Sequence, residues 1–485
     1  MKKYLVLIGA AILVMALASP SMAQFKSWGH MEIQTIWEKN PDFNQGQGWA
    51  NGAIANNAPT SDTTWRHIAE RYRFYLQYGD PKTVRAVIGF EADSTVWGES
   101  RSSGTVTGGR MGGYTADSVQ LEVKHAYLDW IIPNSPVQVT AGLQGFAYGG
   151  RLFWNNDAMG VKVRTDFAPH SVEFFWGRIA DQAYGVPAND ARAMYGVFDV
   201  YGVSYDIKQK AWDLNAYFAY QNDLWSGWQA TVGDPITGGN IPIVNKFDDH
   251  PWWLGVQGGY RPGNWTFFGH FVYVGGKREF KTGNVGDQDY KAYAMEASAK
   301  YQIGPGMFVG GEFFYASGND ADSQDEINYM PVQASSEARS IFGNDRTVFF
   351  WMNASQMGYY HNRQLDFSGM WYARANFEYS PTPWVRFNLN YLYIGDTSSG
   401  QAGTITSKIS GPGATKIVNS ERGAYQGADR DTVGQEINLI TTFNIYPGFQ
   451  WNVGIAAFLP GDVYEFPNRA IDTAWAFNSK LVYAF

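Results

Sequence analysis

The side chains that most often carry catalysis or bind metals are few in this chain. Cysteine is absent, which excludes thiolate ligands, haem attachment through C-x-x-C-H and iron–sulfur clusters. The seven histidines form no H-E-x-x-H or related metal-ligand spacing, and there is no G-x-x-x-x-G-K-[ST] loop. His125 and Asp129 could share one strand face, but no serine nucleophile motif accompanies them. The sequence therefore predicts neither an enzyme nor a bound cofactor.

One acidic stretch is the strongest candidate for a metal site. It holds four carboxylates, Asp320, Asp322, Asp325 and Glu326, at a density that suits calcium. The spacing departs from the D-x-[DN]-x-[DN]-G pattern, because Asp325 stands where the glycine is needed. A solvated acidic loop without a metal is the favoured interpretation.

Charged residues recur on alternate positions of several segments, so that each set shares one face of a strand. The basic members are Arg71, Arg73, Arg85, Lys162, Arg164, Arg374 and Arg386, and the acidic members are Glu296, Glu312, Glu378 and Glu436. The predicted hairpin places Arg85 opposite Tyr75 and close to Arg73, which makes Arg71, Arg73 and Arg85 a basic wall. Charges along a watery passage set its ion preference. The alternative is that they only neutralise one another.

The elements that must position these charges are strands. No apolar run after residue 23 reaches the roughly 18 residues of a membrane helix. The chain instead divides into eighteen alternating segments of about ten residues, the length of a tilted strand that crosses a bilayer. These segments are 25–37, 65–78, 82–97, 119–131, 137–146, 157–167, 171–178, 195–206, 212–221, 252–260, 265–275, 290–302, 307–315, 370–380, 384–394, 433–446, 450–459 and 474–485.

The connections between these segments alternate between short and long. Seven of the eight short ones contain proline, whereas the long ones, such as 222–251 and 316–369, are rich in Gly, Asn, Asp and Ser. This wiring predicts an all-β fold, a transmembrane antiparallel β-barrel of about 18 strands (16 is the alternative). Short turns would lie on the periplasmic side, and long loops on the extracellular side, with loop 316–369 or another long loop narrowing the interior.

Aromatic residues recur eight positions apart at the ends of apolar faces. These faces run from Trp212 to Tyr220, Trp252 to Tyr260, Trp265 to Tyr273, Tyr293 to Tyr301 and Trp371 to Tyr379. Eight residues of a tilted strand span about 20 Å of membrane normal, close to the apolar band of about 25 Å between aromatic girdles. Because indole and phenol groups favour the headgroup level, these faces are predicted to meet lipid and the alternate faces to meet water.

The first residues indicate export. Lys2 and Lys3, the apolar run 4–18 and the small residues Ser21 and Ala23 form a signal peptide, 1–23, cleaved after Ala23. The barrel domain is then 24–485. Losing two lysines takes the formal net charge from −8 to −10, so nucleic acid is not an expected partner. High Gly, Tyr, Phe and Trp counts (54, 30, 31 and 19) together with a mean hydropathy of −0.31 fit a barrel whose strands alternate.

The alternating last strand, from Trp475, ends in Tyr483-Ala-Phe485. It resembles the C-terminal signature of bacterial outer-membrane proteins, which implies that the barrel-assembly machinery recognises Tyr483 and Phe485. The stretches 123–129 and 137–144, joined by a proline-containing turn, resemble an early hairpin of general Gram-negative porins. The architecture resembles the homotrimeric porins of sulfate- and metal-reducing bacteria, although eighteen strands, where general porins have sixteen, resemble the sugar-specific porins.

These features predict an outer-membrane porin, a water-filled channel for passive diffusion of small hydrophilic solutes and ions. Two alternatives remain open. One is a substrate-specific porin for sugars or organic anions, in which Tyr75, Tyr217, Phe268 and Phe314 could stack on the solute. The other is a barrel that sheathes a partner in an electron-conduit complex. Outer-membrane lipid and lipopolysaccharide are the expected surroundings; bridging of the acidic loop to lipopolysaccharide by divalent cations is the less favoured alternative to a solvated loop.

The aromatic girdle is predicted to have a gap. The outward sets of the third, fifth and sixth segments (84–92, 137–143 and 161–165) contain small or β-branched residues and no Trp or Tyr. Lipid contact favours interfacial aromatics, whereas small residues allow close approach of another subunit. The gap therefore predicts a subunit contact through the third to sixth strands, and the resemblance to homotrimeric porins implies that three subunits meet there.

Overall fold

In the computed structural model of this chain, the described residues are 25–40, 49–50, 53–54, 64–97, 121–181, 197–224, 227–233, 240–280, 286–318, 325–328, 330, 346–348, 369–397, 432–461 and 472–485. The predicted signal peptide and its cleavage site lie outside these ranges. Among the described residues, no helix is long and apolar enough to cross a membrane.

The described chain forms a closed antiparallel barrel of eighteen strands, as the periodicity predicts. The strands are β1 (Lys26–Lys39), β2 (Thr64–Asp80), β3 (Val84–Val96), β4 (Glu122–Ile131), β5 (Val137–Tyr148), β6 (Trp154–Phe167), β7 (His170–Asp181), β8 (Val197–Lys208), β9 (Trp212–Asp223), β10 (Asn240–Tyr260), β11 (Trp265–Phe280), β12 (Ala292–Gly304), β13 (Met307–Ala316), β14 (Met370–Thr382), β15 (Val385–Asp396), β16 (Thr432–Tyr446), β17 (Phe449–Pro460) and β18 (Ala474–Ala484). Each strand pairs with its sequence neighbours, and β1 also pairs with β18, which closes the barrel.

Two strands run well beyond the predicted segments. β10 begins at Asn240 rather than at residue 252, and β11 ends at Phe280 rather than at 275. The added part of β10 pairs with a short strand, Gly227–Gly233. Strand pairing outside the predicted apolar band does not require apolar alternation, so the sequence pattern did not indicate these extensions.

The two faces of the sheet have opposite chemistry. The outward face presents large apolar side chains, such as Leu254 (54% exposed) and Ile437 (50%), together with the predicted girdle aromatics. The inward face carries polar and charged groups packed against one another, such as Gln34, Asn390 and Asn438. A closed sheet with this alternation is compatible with lipid outside and water inside.

The short turns gather at one end of the barrel, together with both described ends of the chain. The amide of Phe485 donates to the carbonyl of Gly29 in β1, and the amide of Gly29 donates to the carbonyl of Phe485, each at 3.0 Å. Gly448, in the β16–β17 turn, has a φ of 78° and faces the carbonyl of Ala484, so a side chain there would be strained and would clash. The C-terminal residue therefore completes the ladder at the seam between β18, β1 and β2.

The β2–β3 turn corrects one sequence expectation. Arg85 pairs with Gly79, and Gly89 is the residue opposite Tyr75. The turn is centred two residues later than predicted, since the amide of Thr83 donates to the carbonyl of Asp80 at 3.0 Å and Pro81 takes a turn position. Arg85 is thereby moved along the barrel away from Arg73.

Candidate functional site: the barrel interior

A cationic cluster lies on the inward faces of β2, β3 and β4. Arg71 Nε and Arg73 Nη2 contact the same oxygen of Glu91, at 3.1 and 2.9 Å. Lys124 Nζ contacts the other carboxylate oxygen of Glu91 at 2.6 Å and Asp157 at 2.7 Å. Three cations thus share Glu91, which is 2% exposed. Arg71 and Arg73 of the predicted basic wall therefore belong to an ion-paired network with Lys124, Glu91 and Asp157.

Arg85 belongs to a second group nearer the short turns. Its guanidinium contacts Asp129 Oδ2 at 2.7 Å and donates to Gln77 at 3.1 Å. Gln138 and Thr140 on β5 also donate to Asp129, at 2.7 and 3.3 Å. Asp129 thus pairs with Arg85, while His125 Nε2 lies 3.1 Å from Asp157 Oδ1.

A strip of rings crosses the wall beside the cationic cluster. Trp28 stacks on Tyr75 with centroids 5.4 Å apart, and Tyr75 lies 5.3 Å from His125, which is 5.9 Å from Tyr127. Gly89 leaves room for this arrangement, because a Cβ there would lie 2.5 Å from the Tyr75 ring. Neighbouring strands thus bring together rings that are far apart in sequence.

Lys162 and Arg164 contact the inward side of β5 to β7. Lys162 Nζ donates to the carbonyl of Gly145 and lies 4.6 Å from the ring centroid of Phe146. Arg164 donates to Ser171 at 2.9 Å and to Asp166 at 3.0 Å. Both predicted residues are therefore committed to local contacts.

The connection between β5 and β6 folds into the interior. It contains a single 3-10 turn, Gly149–Arg151, followed by Leu152 and Phe153, both with no exposed surface. The Phe153 ring lies 4.8 Å from Trp253 on β10 and 6.0 Å from Tyr217 on β9. We call residues 149–153 the inner segment. It buries an apolar core inside the barrel against β9 and β10.

The inner segment also meets a polar pair on the wall. Tyr217 Oη and His270 Nε2 are 3.1 Å apart. Gly150, with a φ of 51°, approaches so closely that a Cβ there would lie 3.3 Å from His270 Nδ1. Glycine is required at this contact both for its left-handed backbone and for the lack of a side chain.

A second chain segment contacts the wall next to the inner segment, on β12, β13 and β16. Arg346 binds Glu296 and Glu312, and the amide of Val348 donates to Glu436 at 2.6 Å. This segment belongs to loop 316–369, one of the long loops that the sequence predicts could narrow the interior. His270 and Glu296 are register partners, so both inward segments reach the wall at the same level.

The remaining predicted residues occupy less central places. Lys300 and Glu378 pair at 3.0 Å, and Arg386 is exposed near the start of β15. In the acidic loop, Asp320 and Asp322 lie outside the described residues. Glu326 pairs with Lys291, and their hydrogen bond lowers the pKa of Glu326 and raises that of Lys291. Asp325 uses its carbonyl to accept from Asp289, and no group of three metal-binding side chains occurs among the described residues.

The C-terminal residues pack on the outward face. The Phe485 ring stacks near Tyr72, Phe74 and Tyr483, with centroids 5.9–6.5 Å apart. This aromatic group covers the seam where the barrel closes.

Sequence reasoning missed Glu91, Lys124, Asp157 and Arg346 as interior residues. Glu91 had a usable signal, because it alternates with Arg85 on one face of β3. Lys124 points inward only because a register shift follows Gly89 in the β3–β4 pairing. Arg346 sits in a loop with no periodicity, so no pattern could indicate its partners.

Comparisons with known proteins bear on the fold. No protein-family profile matches the chain, and no curated protein sequence matches it. The solved structure of OccD3 (OpdP) from Pseudomonas aeruginosa superposes with a TM-score of 0.50 at 9% identity, covering 96% of this chain and 92% of that one. OprD, an outer membrane protein of Pseudomonas aeruginosa, gives a TM-score of 0.48 at 10% identity over 95% and 93% of the two chains.

A loop-deletion mutant of OmpT, an outer membrane protein of Vibrio cholerae, gives a TM-score of 0.42 at 9% identity, over 96% of this chain and 100% of that one. At such identities only the fold is established. The OccD3 superposition and the strand order agree on a closed antiparallel barrel of the outer-membrane type.

Proposed function

We propose that this chain is an outer-membrane porin, a water-filled channel for passive diffusion of small hydrophilic solutes and ions. The observation that carries the proposal is the division of one closed sheet into an apolar outward face with aromatic rims and a charged inward face. An eighteen-stranded barrel is wide enough to leave an aqueous path beside the inner segment. We also propose that the chain is exported through a signal peptide cleaved after Ala23. We further propose that it is related to the homotrimeric porins of sulfate- and metal-reducing bacteria, which its architecture resembles.

The ring strip favours a second candidate, a channel selective for particular solutes. Trp28, Tyr75 and His125 stand beside Arg73 and Lys124, so an apolar ring face lies next to fixed positive charge. Sugars and organic anions are solutes that such a surface could bind.

Liposome swelling separates the two candidates and tests both. For a diffusion pore, swelling rates are expected to fall smoothly with the size of neutral sugars, without saturation. A selective channel should instead favour one sugar or acid and saturate with it. Purified protein that neither swells liposomes nor conducts ions in a planar bilayer would contradict both.

The outward face of β3 to β6 is the proposed contact between three copies of the chain. Ala86, Leu128, Ala141 and Val161 are successive register partners, so they form one row across four strands. The row has no Trp or Tyr and includes Leu128, which is 53% exposed. Small side chains in such a row permit close packing of another barrel.

Single cysteines test this contact cleanly, because the chain has none of its own. Cysteine at Ala86 or Ala141 should be shielded from a membrane-soluble maleimide in liposomes, while cysteine at Ala375, on the outward face of β14, should react. Separation into monomers by mild denaturation should remove the difference. Equal labelling of the three variants in the undenatured protein would contradict the contact.

A further inference from the structure

Three carboxylates crowd one part of the inward face. Glu296 on β12, Glu312 on β13 and Glu436 on β16 are 7%, 5% and 0% exposed. We call these three residues the acidic wall. Arg374 on β14 contributes a cation to this wall, with its Nη2 2.7 Å from Glu312 Oε2.

Arg346 supplies a second cation from outside the wall. Its Nη2 lies 3.2 Å from Glu296 Oε1, and its Nε lies 3.1 Å from Glu312 Oε2. One guanidinium therefore bridges carboxylates on two adjacent strands. The planar fork of arginine suits such bridging better than the single ammonium of lysine.

The backbone around Arg346 is fixed by the same wall. Asn438 donates to the carbonyl of Arg346 at 2.9 Å, and Glu436 accepts from the amide of Val348 at 2.6 Å. Thr347 and Val348 are each 1% exposed. Whereas the inner segment is held by aromatic packing, this segment is held by charges and hydrogen bonds.

The charge balance of this region depends on Arg346. Glu296, Glu312 and Glu436 carry three negative charges when ionised, and Arg346 with Arg374 carries two positive ones. Loss of Arg346 would double the net negative charge of the cluster. Fixed charges act strongly in a narrow passage with low-dielectric walls.

We propose that Arg346 is the residue that determines both the ion preference and the width of this passage: it offsets the acidic wall and holds residues 346–348 against it. The inference rests on the proposed channel function. Its role is distinct from that of Arg374, which lies on β14 and, among the described residues, contacts Glu312 and Asn390 of the neighbouring strands.

Arg374 therefore provides a matched control. Arg346→Gln and Arg374→Gln each remove one positive charge that contacts the same oxygen of Glu312. Both variants are expected to shift the reversal potential in a salt gradient toward cation preference. Only Arg346→Gln should also raise the single-channel conductance, because only this change detaches residues 346–348. Arg346→Lys should restore most of the ion preference.

A heat-dependent gel shift must first verify that the variant barrels are folded; the conductance results then distinguish two outcomes. A wild-type protein without conductance would defeat the proposed function itself. A conducting wild type with Arg346→Gln unchanged in reversal potential, or with equal conductance in the two glutamine variants, would overturn the inference alone.

Discussion

Replacing Glu91 by glutamine is expected to destabilise the barrel and to increase its preference for anions. Arg71, Arg73 and Lys124 converge on this one carboxylate, and their side chains are only 12–15% exposed. Glutamine keeps the shape of the side chain but removes the negative charge on which the three cations converge. Removing one partner of a buried ion pair typically costs about 3–5 kcal/mol.

Two measurements check this expectation. The temperature at which the folded band converts to the unfolded band on a gel should fall, and the reversal potential should move toward anion selectivity. Glu122→Gln is the matched control, since Glu122 is the register partner of Glu91 but is exposed. If the two variants convert at the same temperature and share one reversal potential, Glu91 does not organise the cluster.

Replacing Phe153 by alanine is expected to produce the largest gain in conductance. The Phe153 ring is fully buried against Trp253 and Tyr217, and it anchors the inner segment to β9 and β10. Deleting a buried phenylalanine ring costs about 3–5 kcal/mol through lost packing and the cavity that remains. With the anchor gone, the inner segment should leave the wall and water should fill its place.

The check compares single-channel conductance and urea-induced unfolding for two variants. Phe174→Ala removes the same ring from the outward face of β7, where Phe174 is 59% exposed. That control should keep the wild-type conductance. A Phe153→Ala channel with wild-type conductance would show that the inner segment stays in place without its aromatic anchor, contrary to the packing argument.

The two inward segments should respond differently to salt. The contacts of Phe153 are apolar and gain nothing from low ionic strength, whereas Arg346 is held by ion pairs. The ion pairs of Arg346 with Glu296 and Glu312 are partly buried and are therefore screened less than surface pairs. A dissolved ion could still compete with either partner of these pairs. The segment around Arg346 is thus the one that permeating ions could influence.

The eighteen strands could be predicted from the sequence because a strand with lipid on one face and water on the other must alternate apolar and polar residues with a period of two. Leu254 and Val256 must alternate with inward residues such as Trp253, whatever the neighbouring strands contain. The same alternation placed Glu296, Glu312 and Arg374 on the inward faces of their strands. Proline located most of the short turns, but the β2–β3 turn lies two residues later than predicted, so the partner of Arg85 is four positions further along β2.

The partners of these charges could not be predicted in the same way. Which residue lies opposite Arg73 depends on the register of β2 and β3, and the register follows from turn geometry rather than from alternation. The inward position of Lys124 depends on a local register shift, and the ring strip requires β1, β2 and β4 to be aligned.

By itself, then, the sequence determined the barrel, its strand count and the chemistry of its two faces, because these depend on residues one or two positions apart in a chain that separates lipid from water. Only the tertiary structure decided that the arginines of the basic wall are ion-paired with Glu91 and Asp129, and that Phe153 and Arg346 reach inward from their loops to the wall. Those contacts join residues up to about a hundred positions apart. They are selected by packing and charge pairing in three dimensions, which leave no periodic trace along the chain.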